Sequence, residues 1–288
     1  MCAGAQLTAS AQEIVRTAMQ ASLEVQLPLD LQDAQWNQLI WGFGRWDSKT
    51  RTKSFETTPA IIATEAGPEL QELEFSLTPS WAREYPLQAS TYNARCNRPK
   101  QSRNKAQPVS QTAPVFEYVY EYPAYRSAWS CGRFCLVPLS AGIESSYAGT
   151  FDQQRFSFAL ANGGLMFLLG LWDEWIDRSS GEIHRGFALL TSYPQTAMRE
   201  YGHHREVVAV DHTIWAKLLN GQRKTAADYQ LIIHNRLNPN YQANHYASLK
   251  TRSGQPTDDD FLYPQEDLAL MGPEGKAWID QRRAACTR

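Results

Sequence analysis

The sequence predicts an α+β fold, with strands filling the middle of the chain and helices set toward its ends. Three observations lead there. Short apolar runs recur between residues 133 and 210, separated by turn signals such as Asn162-Gly163-Gly164. Helical spacing of apolar residues concentrates toward the flanks. The composition, 43% hydrophobic with 9 Trp, 13 Tyr and 11 Phe in 288 residues, supplies ample material for a core.

The elements follow in order. Ser10 and Glu13 have the spacing of a capping box, and Ile14, Val15, Ala18 and Met19 follow at helical intervals, so a helix is expected near 11–22. Residues 55–83 read as extended segments joined by turns. The stretch 97–122, rich in Gln, Ser, Asn, Lys and Pro, reads as an exposed, mobile insertion. Arg133 to Pro138 is a short apolar strand that Pro138 should end. Arg155–Leu160 and Leu165–Trp172 flank Asn-Gly-Gly and predict a hairpin. A turn at 177–182 precedes a strand at Gly186–Thr191, then a short helix around 195–201 and a strand at Val207–Val210. Asp211 can cap a helix carrying Trp215, Leu218 and Leu219, which Gly221 stops. A last helix is expected after Pro273. With no internal repeat, the chain reads as a single domain over 1–288, its C-terminal extension beginning at about residue 222.

A formal net charge of −2 argues against coating duplex DNA by overall charge, so any nucleic-acid contact must come from a local patch. One patch qualifies. Between Asn93 and Phe116 there is no Asp or Glu, while Arg95, Arg98, Lys100, Arg103 and Lys105 are all basic. Five thinly spread cysteines do not form a secreted disulfide framework. The first thirty residues lack a basic start followed by an apolar run, so no signal peptide is apparent, and the longest apolar stretch, broken at Asn162-Gly163-Gly164, is a poor membrane span. The expected setting is cytoplasmic or nucleoid-associated, and the expected state a monomer. No metal site or organic cofactor is implied: Cys131 and Cys135 lack a second pair, and His203-His204 lack further ligands at suitable spacing.

The chemistry begins at Cys2. Removal of Met1 would leave an α-amine and a thiol on adjacent carbons, with ordinary pKa values of ~8 and ~8.5. A 1,2-aminothiol condenses with aldehydes, first to an imine and then to a five-membered thiazolidine. Further along lie Asn93-Ala94-Arg95, Cys135-Leu-Val-Pro138 with Glu144 six residues later, Gly170-Leu-Trp172 and His203-His204-Arg205. Pro79-Ser80-Trp81 and the Pro123–Trp129 segment accompany them. In this order, over roughly residues 1–220, the set resembles the SOS response-associated peptidase (SRAP) family. The chain departs from the family pattern at Ala3-Gly4, at Cys96-Asn97-Arg98, around Glu144 and at Glu206-Val207.

The resemblance implies a strand-rich, barrel-like core with peripheral helices, and a protein that senses abasic sites in single-stranded DNA and cross-links to them through Cys2. It implies that Asn93 orients the terminus or the sugar, that Glu144 passes protons and that His203 makes a second proton transfer. Arg95 and Arg205 would hold phosphates beside the lesion and Trp81 would stack on a base. Apart from the resemblance, the basic run itself makes Arg98 a candidate DNA contact. One alternative keeps the same residues as a self-processing cysteine-type peptidase with Cys2 as nucleophile and His203 as its base; another is a divergent, non-covalent binder of single-stranded nucleic acid.

Overall fold

In a computed structural model, residues 4–49, 52–87, 90–100, 114–248 and 256–286 are described. In chain order the strands are β1 (Gly4–Ser10), β2 (Gln35–Trp41), β3 (Arg45–Asp47), β4 (Thr52–Ser54), β5 (Thr57–Thr64), β6 (Gly67–Glu74), β7 (Asn93–Arg95) and β8 (Asn97–Pro99). They continue with β9 (Phe116–Tyr118), β10 (Phe134–Leu139), β11 (Ala141–Ser146), β12 (Gln154–Leu160), β13 (Met166–Ile176), β14 (Ile183–Ser192), β15 (Glu206–Val207) and β16 (Tyr241–Ser248). The helices are α1 (Ala11–Gln20), α2 (Pro123–Ser130), α3 (Thr196–Glu200), α4 (Trp215–Leu218), α5 (Ala226–His234) and α6 (Gln265–Cys286).

Two sheets make the core of this α+β fold. One has five strands in the order β16-β12-β11-β1-β2; the other has seven, running β13-β10-β5-β6-β14-β15, with β7 also on β14 and β13 also pairing β14. The arrangement is the strand-rich, barrel-like core implied by the resemblance. Alternation along the seven-stranded sheet feeds two apolar clusters. Ile61, Leu136, Leu169 and Leu190 pack toward one side with residues of α1, α2, α4 and α5. Ile62, Val137, Leu168 and Leu189 turn to the other side, where Ala5, Ile40, Phe156 and Phe158 of the five-stranded sheet meet them. Burial on both faces explains why β10 and β13 read as continuous apolar runs rather than alternating ones.

Several expectations are refined. The helix after Ser10 forms as Ala11–Gln20, and the Ser10 hydroxyl accepts from the Glu13 amide at 3.1 Å. Asp211 Oδ1 accepts from the Thr213 amide at 2.9 Å and starts a short 3₁₀ turn that runs into α4. The hairpin expected across Asn162-Gly163-Gly164 does not form. β12 pairs with β11 and β16, whereas β13 pairs with β10 and β14, so the turn carries the chain from one sheet to the other. Pro138 does not end β10 either, since the strand continues to Leu139. The β5 ladder covers only Cys135 and Leu136, so a residue without an amide donor is tolerated beyond it. The ends of the 97–122 stretch are anchored rather than exposed: β8 pairs with β9, and Asn97, Val119 and Tyr122 are buried. Residues 101–113 lie outside the described residues. The helix expected after Pro273 forms, and a further helical stretch from Gln265 precedes it, the two parted at Gly272, where φ is 69°.

Candidate active site at the head of the first strand

β1 lies inside its sheet, pairing with β2 along all seven residues and with β11 from Gly4 to Gln6. Gly4 sits opposite Ile143, one residue before Glu144. A side chain on Gly4 would drive its Cβ to 2.8 Å from the Trp41 ring, which fixes glycine there. Cys2 lies outside the described residues.

Glu144 projects from β11 on the face that carries Phe156, its partner across the ladder, and therefore points between the two sheets. Its side chain is 2% exposed. Burial raises the carboxyl pKa to about 7, against a smaller opposing effect of the Ser145 amide. His203 arrives from the opposite side. α3 ends in a tight turn in which the Gly202 amide donates to Arg199 O and the His203 amide to Met198 O, both at 3.0 Å. Gly202 adopts φ 79°, and a Cβ there would stand 1.9 Å from the Ala148 carbonyl. That close approach brings the imidazole to β11. Its Nδ1 lies 2.6 Å from the Ser145 carbonyl, which can only accept, so Nδ1 carries the proton. Nε2 is left facing the Glu144 carboxyl at 3.5 Å. Burial and the neighbouring His204 push the His203 pKa well below its ordinary value. Below about pH 7 the carboxyl therefore carries a proton while the imidazole beside it is neutral.

The remaining candidates are held in three places. Asn93 and Arg95 lie on β7, which runs parallel to β14 with Asn93 opposite Leu189 and Arg95 opposite Thr191. Ala94 between them packs into the helix-side core, so both point to the other face. The Asn93 carbonyl accepts from the buried Tyr125 hydroxyl at 3.0 Å. Arg95 pairs with Asp260 at 2.9 Å. Arg205 does not reach the surface: it is 2% exposed, and its guanidinium donates to the Thr191 carbonyl at 2.9 Å. Trp81 and Arg98 make contacts of their own. Trp81 is 54% exposed and donates its indole N–H to Pro123 O, which leaves the ring accessible. Arg98 pairs with Glu117 at 2.8 Å and lies over the Tyr122 ring.

Sequence reasoning missed Gly202, Ser145 and Asp260. Only Gly202 carried a local signal, a glycine closing a short helix just before the histidines. Among the described residues, no group of three or more His, Cys, Asp or Glu side chains could hold a metal ion. Among them, too, no helix is long and apolar enough to cross a membrane.

The fold and site define an α+β protein with a buried acid–imidazole pair beside the strand that opens the chain. The chain belongs to the SOS response associated peptidase (SRAP) family, whose sequence profile matches residues 1–247. Membership ties it to the DNA-damage response. The fold is similar to the X-ray structure of a protein from Bacteroides thetaiotaomicron, with a TM-score of 0.58 and 18% identity over 85% of this chain and 91% of that one. A protein from Bordetella bronchiseptica is similar at a TM-score of 0.57 and 18% identity, covering 85% of this chain and 99% of the other. A phage-related protein from the same organism gives 0.50 and 12%, covering 87% and 99%. None of the curated proteins compared with the chain matches it in sequence.

Proposed function

We propose that the chain, after loss of Met1, bonds through the amine and thiol of Cys2 to the ring-opened aldehyde of an abasic site in single-stranded DNA. The observation that carries this reading is the Glu144–His203 pair, buried beside the strand that leads from Cys2. Covalent geometry keeps the Cα of Cys2 within about 7 Å of that of Gly4. Gly4 is itself laddered to the residue before Glu144.

The amine adds to the aldehyde to give a carbinolamine. Loss of its hydroxyl as water leaves an imine, and the thiolate adds to the imine carbon to close the thiazolidine. Aminothiol plus aldehyde thus gives thiazolidine plus one water. A carboxyl with a pKa of about 7 suits the dehydration, donating to the departing hydroxyl and taking back the proton that the attacking group releases. His203, fixed by Ser145, positions that carboxyl and can take the second proton transfer. Asn93 is assigned to orient the terminus or the sugar, Arg95 and Arg98 to phosphates, and Trp81 to a flanking base. Arg205 serves from beneath, as a buried positive charge close to Arg95.

Incubation with single-stranded DNA carrying an abasic site should give a band that survives SDS. Cys2→Ala, or any residue left ahead of Cys2, should remove it, and intact DNA should give none. A full-strength band from Cys2→Ala sinks the thiazolidine mechanism. A salt-sensitive gel shift with no covalent band, unchanged in Cys2→Ala, would favour the non-covalent binder. The family's description as a peptidase favours a second reading, in which the same pair assists release of Met1. Intact mass of the wild-type, Glu144→Gln and His203→Ala proteins separates the two, because only self-processing leaves Met1 on the variants.

A further inference from the structure

Thr257–Cys286 lies beyond the stretch that matches the family, yet it rests on two of the family's motifs. We propose that this segment is an autoinhibitory strap, with Asp260 standing at Arg95 where a DNA phosphate would otherwise bind. The inference rests on the assignment of Arg95 to a phosphate made above.

The contacts are specific. One Asp260 oxygen is 2.9 Å from the Arg95 guanidinium, while the other accepts from the Thr257 amide at 2.9 Å and its hydroxyl at 3.1 Å. The turn thus presents a single carboxylate oxygen to the arginine, the charge-assisted contact that one phosphate oxygen could also make. Next to it, Phe261 packs on the His204 ring with centroids 5.7 Å apart, and the Tyr263 hydroxyl donates to the His204 carbonyl. The strap therefore touches Asn-Ala-Arg and His-x-Arg together. Asp258 and Asp259 extend the acidic edge, and Asp258 is held by Arg283 of α6 at 2.7 Å. Arg95 and the buried Arg205 bring two like charges close together, and Asp260 supplies the anion between strap and sheet that a bound strand would replace. Phosphates carry the sequence-independent part of single-strand binding, so a carboxylate here competes with every strand equally.

The test uses the full chain and a fluorescein-labelled single-stranded oligonucleotide without abasic sites, read by anisotropy, so that no covalent step contributes. Asp260→Asn keeps an oxygen for the Thr257 turn and removes the charge. Tyr263→Phe keeps the carboxylate and loosens the strap at His204. Both should bind about two- to fivefold tighter than wild type, the range expected for release of a partly exposed ion pair. For Asp260→Asn the dependence of log Kd on log salt should steepen by roughly 0.7, one extra phosphate on a single strand. Adding Arg95→Gln should erase the Asp260→Asn gain. Equal or weaker binding by both variants, with unchanged thermal midpoints, overturns the strap and makes the segment a structural clamp. Absence of binding by wild type and both variants overturns it as well, and the cross-linking assay then decides the catalytic reading separately.

Discussion

A carboxyl and an imidazole 3.5 Å apart, both shut away from water, leave a thermodynamic signature at Glu144. Its folded pKa of about 7 lies above the usual 4.5, so the folded protein binds more protons than the unfolded chain between those values. Stability from this group is therefore fully present below pH 4.5 and falls as pH rises through 7. Glu144→Gln keeps the shape and abolishes the titration. Relative to wild type it should gain on the order of 3 kcal/mol between pH 5 and pH 8, measured from urea midpoints, while losing the abasic-site cross-link rate. The same stability difference at both pH values would mean the carboxyl is not desolvated. Viewed in isolation, Glu144 reads as a loop carboxylate, and its place in an ordered set of motifs alone singled it out. The backbone carbonyl that fixes the His203 tautomer belongs to Ser145, 58 residues away, so no local pattern could reveal it.

Elements were legible where the code is short-range and obscure where partners come from afar. The cap of α1 and the start of the 3₁₀ turn after Asp211 are set by residues within one turn, and both form as expected. The link from β12 to β13 is different. Asn-Gly-Gly between two apolar runs fits a hairpin, but each run finds better partners elsewhere because both sheets bury apolar faces against the same core. The turn before His203 shows what one backbone position can control. Gly202→Ala would impose a Cβ on φ 79° and press it against the Ala148 carbonyl. A loss of about 2 kcal/mol or more is expected, with cross-linking slowed further because the imidazole shifts from Ser145. Wild-type activity in Gly202→Ala would show that this turn does not position His203.

Across the whole molecule, the seven-stranded sheet is the shared wall of both apolar clusters, so neither can come apart alone. We expect one cooperative unit: in Leu136→Ala the far-ultraviolet and tryptophan signals should shift together, with a loss of about 3 kcal/mol. Separate transitions would divide the chain into two domains. Which strands share a sheet was not readable, because the periodicity that marks a strand says nothing of its neighbours. The interior position of β1, between β11 and the edge strand β2, has a mechanical consequence. Ladder bonds run perpendicular to a strand, so tension applied at the chain's start pulls along β1 and loads the bonds to β2 and β11 in shear, many at once, rather than unzipping them singly. Load entering ahead of Gly4 would thus be shared among the rungs to both neighbouring strands.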